Sequence, residues 1–72
     1  MNFGEKLKYL RKVKGTTTND VANYLNITRS AYSNYEQGIR LPDYNILKRL
    51  CDYFDVSADY MIGRENEDGT KI

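Results

Sequence analysis

Apolar positions recur at helical spacing in five successive stretches, and no stretch alternates as a strand requires. Phe3, Leu7, Leu10 and Val13 form the first stripe, with Asn2 placed to cap its start, Glu5 in the first turn and Gly15 after the last. The remaining faces of this helix carry Lys6, Lys8, Arg11, Lys12 and Lys14, a solvated surface whose late cations suit the helix dipole. Thr17 followed by Asp20 is a capping-box variant, and Val21, Ala22 and Leu25 behind it predict a second helix of about two turns. Asn26, which tolerates the left-handed conformation, ends that helix, and Thr28 caps a third. Ile27 and Tyr32 take the N′ and N4 positions of a hydrophobic staple, and Gly38 closes the helix. Leu41 and Pro42 lead into Asp43, the cap of a fourth helix with Leu47, Leu50, Cys51 and Phe54 on one face. Ser57 caps a short fifth helix carrying Tyr60, Met61 and Ile62, stopped by Gly63. The expectation is an all-α, compact five-helix bundle over residues 1–63, followed by a polar, flexible tail over 64–72, RENEDGTKI.

Composition narrows the function classes. A chain of 72 residues has room for one small domain, and its 40% hydrophobic and 29% charged content is that of a soluble globular protein. No apolar run approaches the roughly 20 residues needed to span a bilayer, and the N-terminus lacks the apolar core of a signal peptide, so a cytoplasmic address is expected. The single cysteine, Cys51, excludes an internal disulfide and reads as a small core residue. With no histidine the usual zinc ligand sets cannot be assembled, and neither metal nor cofactor is expected. The net charge of +1 conceals an uneven distribution: residues 1–50 hold nine Lys or Arg against four Asp or Glu, while residues 51–72 hold two against six. The basic part can attract phosphates, and the acidic end should face away from them.

The second and third helices, joined through a tight turn at Asn26, form the angled pair of a helix-turn-helix, and short Ala22 lets the third helix approach closely. Advancing about 100° per residue from Arg29, Ser33 falls at about 40°, Gln37 at about 80°, Ser30 at about 100° and Asn34 at about 140°. Ala31, Tyr32 and Tyr35 occupy the opposite, apolar side. An ordinary exposed helical face is lined with Lys and Glu, whereas this arc offers side chains that read base edges. Arg pairs with guanine O6 and N7, Asn or Gln pairs with adenine, and short Ser lets the backbone sit deep in the major groove.

The stretch TTNDVANYLNITRSAYSNYEQGIRLP resembles the phage repressor and Cro-type helix-turn-helix family, also called the xenobiotic-response-element family. The likeness runs from EKLKYLRKVKG to ILKRLCDYFDVSADYMIG and so covers about residues 3–63. The resemblance implies a lambda-repressor-like domain whose third helix enters the major groove of double-stranded DNA. It implies that Arg29, Ser30 and Asn34, with Ser33 contributing, read bases, and that Thr18, Thr28 and Arg40 meet phosphates. It further implies that Arg11 and Glu36 form a partly buried ion pair tying the first helix to the recognition helix. Three residues depart from the family pattern. Thr18 replaces the usual Gln, which in the family contacts a phosphate and braces the recognition helix, so that contact is expected to be shortened or lost. Asn26 replaces the common turn glycine. Tyr32 replaces Ile or Val, which requires wider packing or a hydroxyl that reaches the surface.

A catalytic role is not expected, because neither Ser30 nor Ser33 has an evident base to activate it. The seven tyrosines fall mostly on apolar faces, which favours core packing over stacking on single-stranded bases. The expected function is a sequence-specific transcriptional regulator, a repressor occupying an inverted-repeat operator as a homodimer with recognition helices about 34 Å apart. Tyr53, Val56, Tyr60 and Ile62 are the expected dimer face. An antitoxin, a controller of restriction-modification genes and a protein-interaction module on the same fold are the alternatives. No small-molecule pocket is expected in so small a core. Relatives often continue past the position of Gly63, so the chain also reads as the N-terminal piece of a longer regulator.

Overall fold

A computed structural model describes residues 1–63 and contains helices α1 (Phe3–Lys14), α2 (Thr18–Leu25), α3 (Arg29–Gln37), α4 (Tyr44–Phe54) and α5 (Ala58–Ile62), with no strand among the described residues. The tail expected over 64–72 lies outside the described residues. No helix among the described residues is long and apolar enough to cross a membrane.

The helix starts are fixed by their caps. Asn2, Thr17, Thr28, Asp43 and Ser57 each take extended backbone angles and accept a side-chain hydrogen bond from the amide three residues on. At Asn2 and Thr17 the bond is reciprocated, by Glu5 and Asp20, completing two capping boxes. The Thr17 backbone amide and hydroxyl hold the Asp20 carboxyl below the usual carboxylate range. Two helix ends need a non-glycine residue in the left-handed region, Asn26 at φ 59° and Asp55 at φ 55°. Both are short polar residues that bear this conformation at low cost. Asn26 is the turn residue expected from the sequence; Asp55 was not anticipated.

The core comprises Leu7, Val21, Ala22, Leu25, Tyr32, Leu50, Cys51, Phe54 and Met61, with Phe3, Leu10, Ile27 and Leu47 packed at its edge. Burial pushes the Cys51 thiol up, as befits an inert core group. Two expectations for α1 need correction. Val13, assigned to the apolar stripe, is 68% exposed; at about 100° per residue it has drifted about 120° from Leu7, beyond the packed side. Lys6, assigned to the solvated surface, is buried: its Nζ donates to the Tyr60 carbonyl at 2.8 Å and lies 4.8 Å from the Tyr60 ring centroid. The methylene stem fills the space between α1 and α5 while the ammonium satisfies a carbonyl at the end of α5.

The α1–α3 crossing sets the attitude of α3. Gly4, on α1, is buried against the last turn of α3, where a Cβ would lie 2.3 Å from the Glu36 carbonyl oxygen and 2.9 Å from that of Tyr35. Only the bare backbone fits there. About two turns along α1, Arg11 donates from Nε to Glu36 Oε2 at 2.7 Å and from Nη2 to Oε1 at 3.3 Å, while its Nη1 donates to the Thr16 carbonyl at 3.2 Å. The Tyr32 hydroxyl, on the fully buried side of α3, donates to the same Glu36 Oε2 at 2.6 Å. Tyr32 therefore sits in the interior without its hydroxyl reaching the surface, since the ion pair accepts it. Desolvation, with the Glu36 carboxylate second, pushes the Tyr32 phenol well above its ordinary range.

On the other side of α2, Arg49 of α4 donates to the Leu25 carbonyl at 3.1 Å and also to that of Tyr24, with its guanidinium over the Tyr24 ring. This closes carbonyls that the end of a helix leaves without partners. The turn between α2 and α3 is thus clamped from behind.

Two outcomes follow from this packing. Gly4→Ala should destabilise the fold by about 1–2 kcal/mol, because overpacking against a carbonyl outweighs the gain in helix propensity; an unchanged or raised urea midpoint would show that the crossing can relax. A raised phenol contributes stability that is present at and below its unfolded-state value and lost as pH climbs. Wild-type stability should therefore fall above about pH 10 more steeply than that of Tyr32→Phe, measured by denaturant titration at successive pH values. Parallel curves would assign the alkaline loss to other groups.

Candidate nucleic-acid interface

The turn Asn26–Thr28 brings α3 across α2 so that the Arg29 side of α3 faces outward. Thr28 caps α3 with its hydroxyl oxygen, accepting from the Ala31 amide at 3.1 Å, and keeps its own hydrogen for an external acceptor. The first turn of α3 carries no acidic residue, so the positive end of the helix is uncompensated. Glu36, the sole carboxylate on α3, is turned inward and paired with Arg11. The outer face of α3 consequently presents no negative charge.

Of the four residues assigned to base reading, Arg29 and Ser30 are exposed, while Ser33 and Asn34 are half-buried. Ser33 Oγ accepts from Gln37 Nε2 at 2.9 Å across one helical turn, so part of its hydrogen-bonding capacity is already used. Arg29 is not free-swinging: its Nε donates to Thr18 Oγ1, at the start of α2, at 3.2 Å. The residue usual at the position of Thr18 was expected to brace the recognition helix, and the shorter Thr18 still meets that helix, at Arg29.

Arg40 lies in the loop after α3 and is exposed. The amides of Ile39 and Arg40 both donate to the Asn34 carbonyl, at 3.0 and 3.3 Å, which curls the loop back onto the end of α3. Arg40 is thereby held at one end of the outer arc, with Thr28 and Thr18 at the other. The arrangement is an outward helix face with polar side chains along its length and hydroxyl or cationic groups at its two ends, a layout compatible with seating a helix in a major groove.

The residues assigned to a dimer face separate. Tyr53 is half-buried between Tyr24, Phe54 and Lys14, with ring centroids 4.7 Å from Tyr24 and 5.0 Å from Phe54. Val56 packs against the core, and half-buried Tyr60 lies against Lys6. Ile62 is 51% exposed and lines a different feature, a shallow apolar groove shared with Phe3, Leu41, Pro42 and Leu47. Leu41 is 77% exposed. Sequence reasoning missed this groove because its residues come from three helices and a loop; the signal available was the apolar Leu41 in that loop.

The model of the Helix-turn-helix family matches residues 7–61. The chain is 47% identical over 66 residues to the uncharacterised HTH-type transcriptional regulator YqaE of Bacillus subtilis, covering 90% of this chain and 57% of YqaE. Among solved structures, a transcriptional regulator from Listeria innocua superposes with a TM-score of 0.83 at 33% identity, over 92% of this chain and 62% of that one. The N-terminal DNA binding domain of SinR from Bacillus subtilis superposes with a TM-score of 0.74 at 25% identity, over 82% of this chain and 87% of that one. The chain thus spans less than two thirds of the length of YqaE and of the Listeria regulator. With a family model over most of its length and this relative alongside it, the chain belongs to the helix-turn-helix family of the phage repressor and Cro type.

Proposed function

We propose that this protein regulates transcription by reading double-stranded DNA, inserting α3 into the major groove and occupying an inverted-repeat operator as a homodimer. The observation that carries the reading is the outer arc of α3: Arg29, Ser30, Ser33 and Asn34 share one face, flanked by Thr28 and Arg40, and the only acid on that helix is turned away. Similarity to a SinR domain described as DNA binding supports it. Arg29 reads a guanine, Ser30, Ser33 and Asn34 contact neighbouring base edges, and Thr18, Thr28 and Arg40 fix the register on phosphates. Occupying a promoter excludes polymerase, so repression needs no further domain.

One recognition helix covers too few base pairs for useful specificity, and the apolar groove supplies the second half. It begins three residues beyond Gly38, where α3 ends, and a second copy seated across it buries Leu41 and Ile62 symmetrically.

Selection from a random duplex library at about 150 mM salt should enrich an inverted repeat with half-sites about one helical turn apart. On that site Arg29→Ala should cost about 1–3 kcal/mol and relax one base pair, whereas Arg40→Ala should weaken cognate and scrambled DNA alike. Equal losses on both duplexes for Arg29→Ala would remove it from base reading, and a folded protein that enriches nothing would favour a protein-interaction module. Leu41→Glu, at a position open to solvent, should shift sedimentation from dimer to monomer and weaken binding to the full repeat, with single half-site affinity kept. An unchanged dimer would place the two-fold elsewhere.

A further inference from the structure

A helix leaves its last four carbonyls without partners of its own, and in α2 these belong to residues 22–25. The turn closes two of them: the Asn26 amide donates to the Ala22 and Asn23 carbonyls, and the Ile27 amide to that of Ala22 at 3.0 Å. The other two, on Tyr24 and Leu25, are closed from outside by the two Nη groups of Arg49. The last turn of α2 holds no basic residue, so Arg49 also supplies the cation that the negative end of a helix favours. Tyr24 is held a second time through its ring, which meets the Arg49 guanidinium at 5.2 Å and the Tyr53 ring at 4.7 Å. Lys14, at the end of α1, lies 5.1 Å from the Tyr53 ring centroid and extends the row. Groups from α4 and α1 thus fix the end of α2 from the side opposite the turn.

Only Asn26 and Ile27 separate Leu25 from Thr28, the cap of α3. The direction of the Leu25 carbonyl therefore governs the direction in which α3 starts. A nine-residue helix is about 13 Å long, so a tilt of about 5° at its start displaces its far end by about 1 Å. Hydrogen bonds to base edges fail over such a displacement, whereas long cationic side chains can follow a phosphate through it.

We propose that Arg49 is a positioning residue for base reading: by holding the Tyr24 and Leu25 carbonyls it fixes the angle at which α3 leaves α2, and so the placement of Arg29, Ser30 and Asn34 on the bases, with no DNA contact of its own. This deepens the DNA-binding reading and rests on it. Arginine suits the task because its planar fork spans two adjacent carbonyls while its flat face covers a ring, and a lysine ammonium offers no such fork.

The test compares wild type, Arg49→Met, Arg49→Lys and, as a phosphate-contact control, Arg40→Ala. Each is titrated against the selected operator and a scrambled duplex over a range of salt concentrations, well below the melting midpoint, with helical circular dichroism checking that it is folded. Arg49→Met keeps the stem and removes both donors. It should reduce the discrimination between the two duplexes about tenfold, the scale of a hydrogen bond to a charged group, and leave scrambled-duplex affinity and the salt slope unchanged. Arg40→Ala should instead weaken both duplexes and lower the salt slope by about one. Arg49→Lys, able to serve one carbonyl, should discriminate at an intermediate level; if Arg49→Met does not fold, this variant carries the test, and wild-type discrimination in it would overturn the proposal. Wild-type discrimination in folded Arg49→Met would reduce Arg49 to a stabilising contact, and equal weakening of both duplexes with a lowered salt slope would make it a phosphate contact; either overturns the proposal while DNA reading stands. If wild type distinguishes no duplex from any other, the DNA-binding reading falls and this assignment with it.

Discussion

The attitude of α3 depends on one partly buried carboxylate. Glu36 receives two nitrogens of Arg11 and the hydroxyl of Tyr32, and the remaining Arg11 nitrogen reaches the Thr16 carbonyl just before α2 begins. A charge withdrawn from water is costly unless it is paired and its lone pairs are occupied. Here that condition is met, and no buried side-chain polar atom among the described residues lacks a partner. A nine-residue helix is too short to persist on its own and has few apolar residues to hold it. The network supplies directional restraint where the hydrophobic contact is thin. It ties α1, α3 and the approach to α2 together.

The same carboxylate shapes the electrostatics outside. Had the acid on α3 faced outward, it would repel phosphate along the arc proposed to approach DNA. Turning it inward removes that repulsion and uses it to hold the helix. The net charge of +1 is therefore a poor guide to the interface. What matters is that the outer arc of α3 carries Arg29 and neutral polar groups, with Arg40 held at its end by the Asn34 carbonyl.

How much of this is legible in the sequence follows from the range of each interaction. Caps and turns are local, and Asn2, Thr17, Thr28, Asp43 and Ser57 announce the five helix starts because a short polar side chain before an apolar repeat has few other uses. The two faces of α3 are equally legible, since angular position within one helix is arithmetic. Contacts between helices are not. Gly4 offered a clue, a glycine near the start of a helical pattern, but only the path of α3 shows why a side chain is excluded there. Lys6 and Val13 exchanged their expected environments because α5 covers one turn of α1 and not the other. Arg49 caps a helix that ends 24 residues earlier, a partnership that no spacing rule contains. The Arg11–Glu36 pair was reached only through family resemblance, and resemblance could not supply the hydroxyl of Tyr32, which departs from the family pattern.

That departure shows how a core tolerates change. A tyrosine replacing an aliphatic residue brings extra volume and a hydroxyl that must bond to something. Both demands are met by the neighbour four residues along α3, because one helical turn places the phenol beside Glu36. Extra polarity thus enters the interior beside the group best able to accept it, and the ion pair gains a third donor. The inner face of α3 is consequently over-determined, by a glycine crossing at one end and this network along the next turn. The outer face is held by comparatively few bonds, Arg29 to Thr18 and Gln37 to Ser33. A surface built in this way can change its outer side chains without disturbing the frame that aims them.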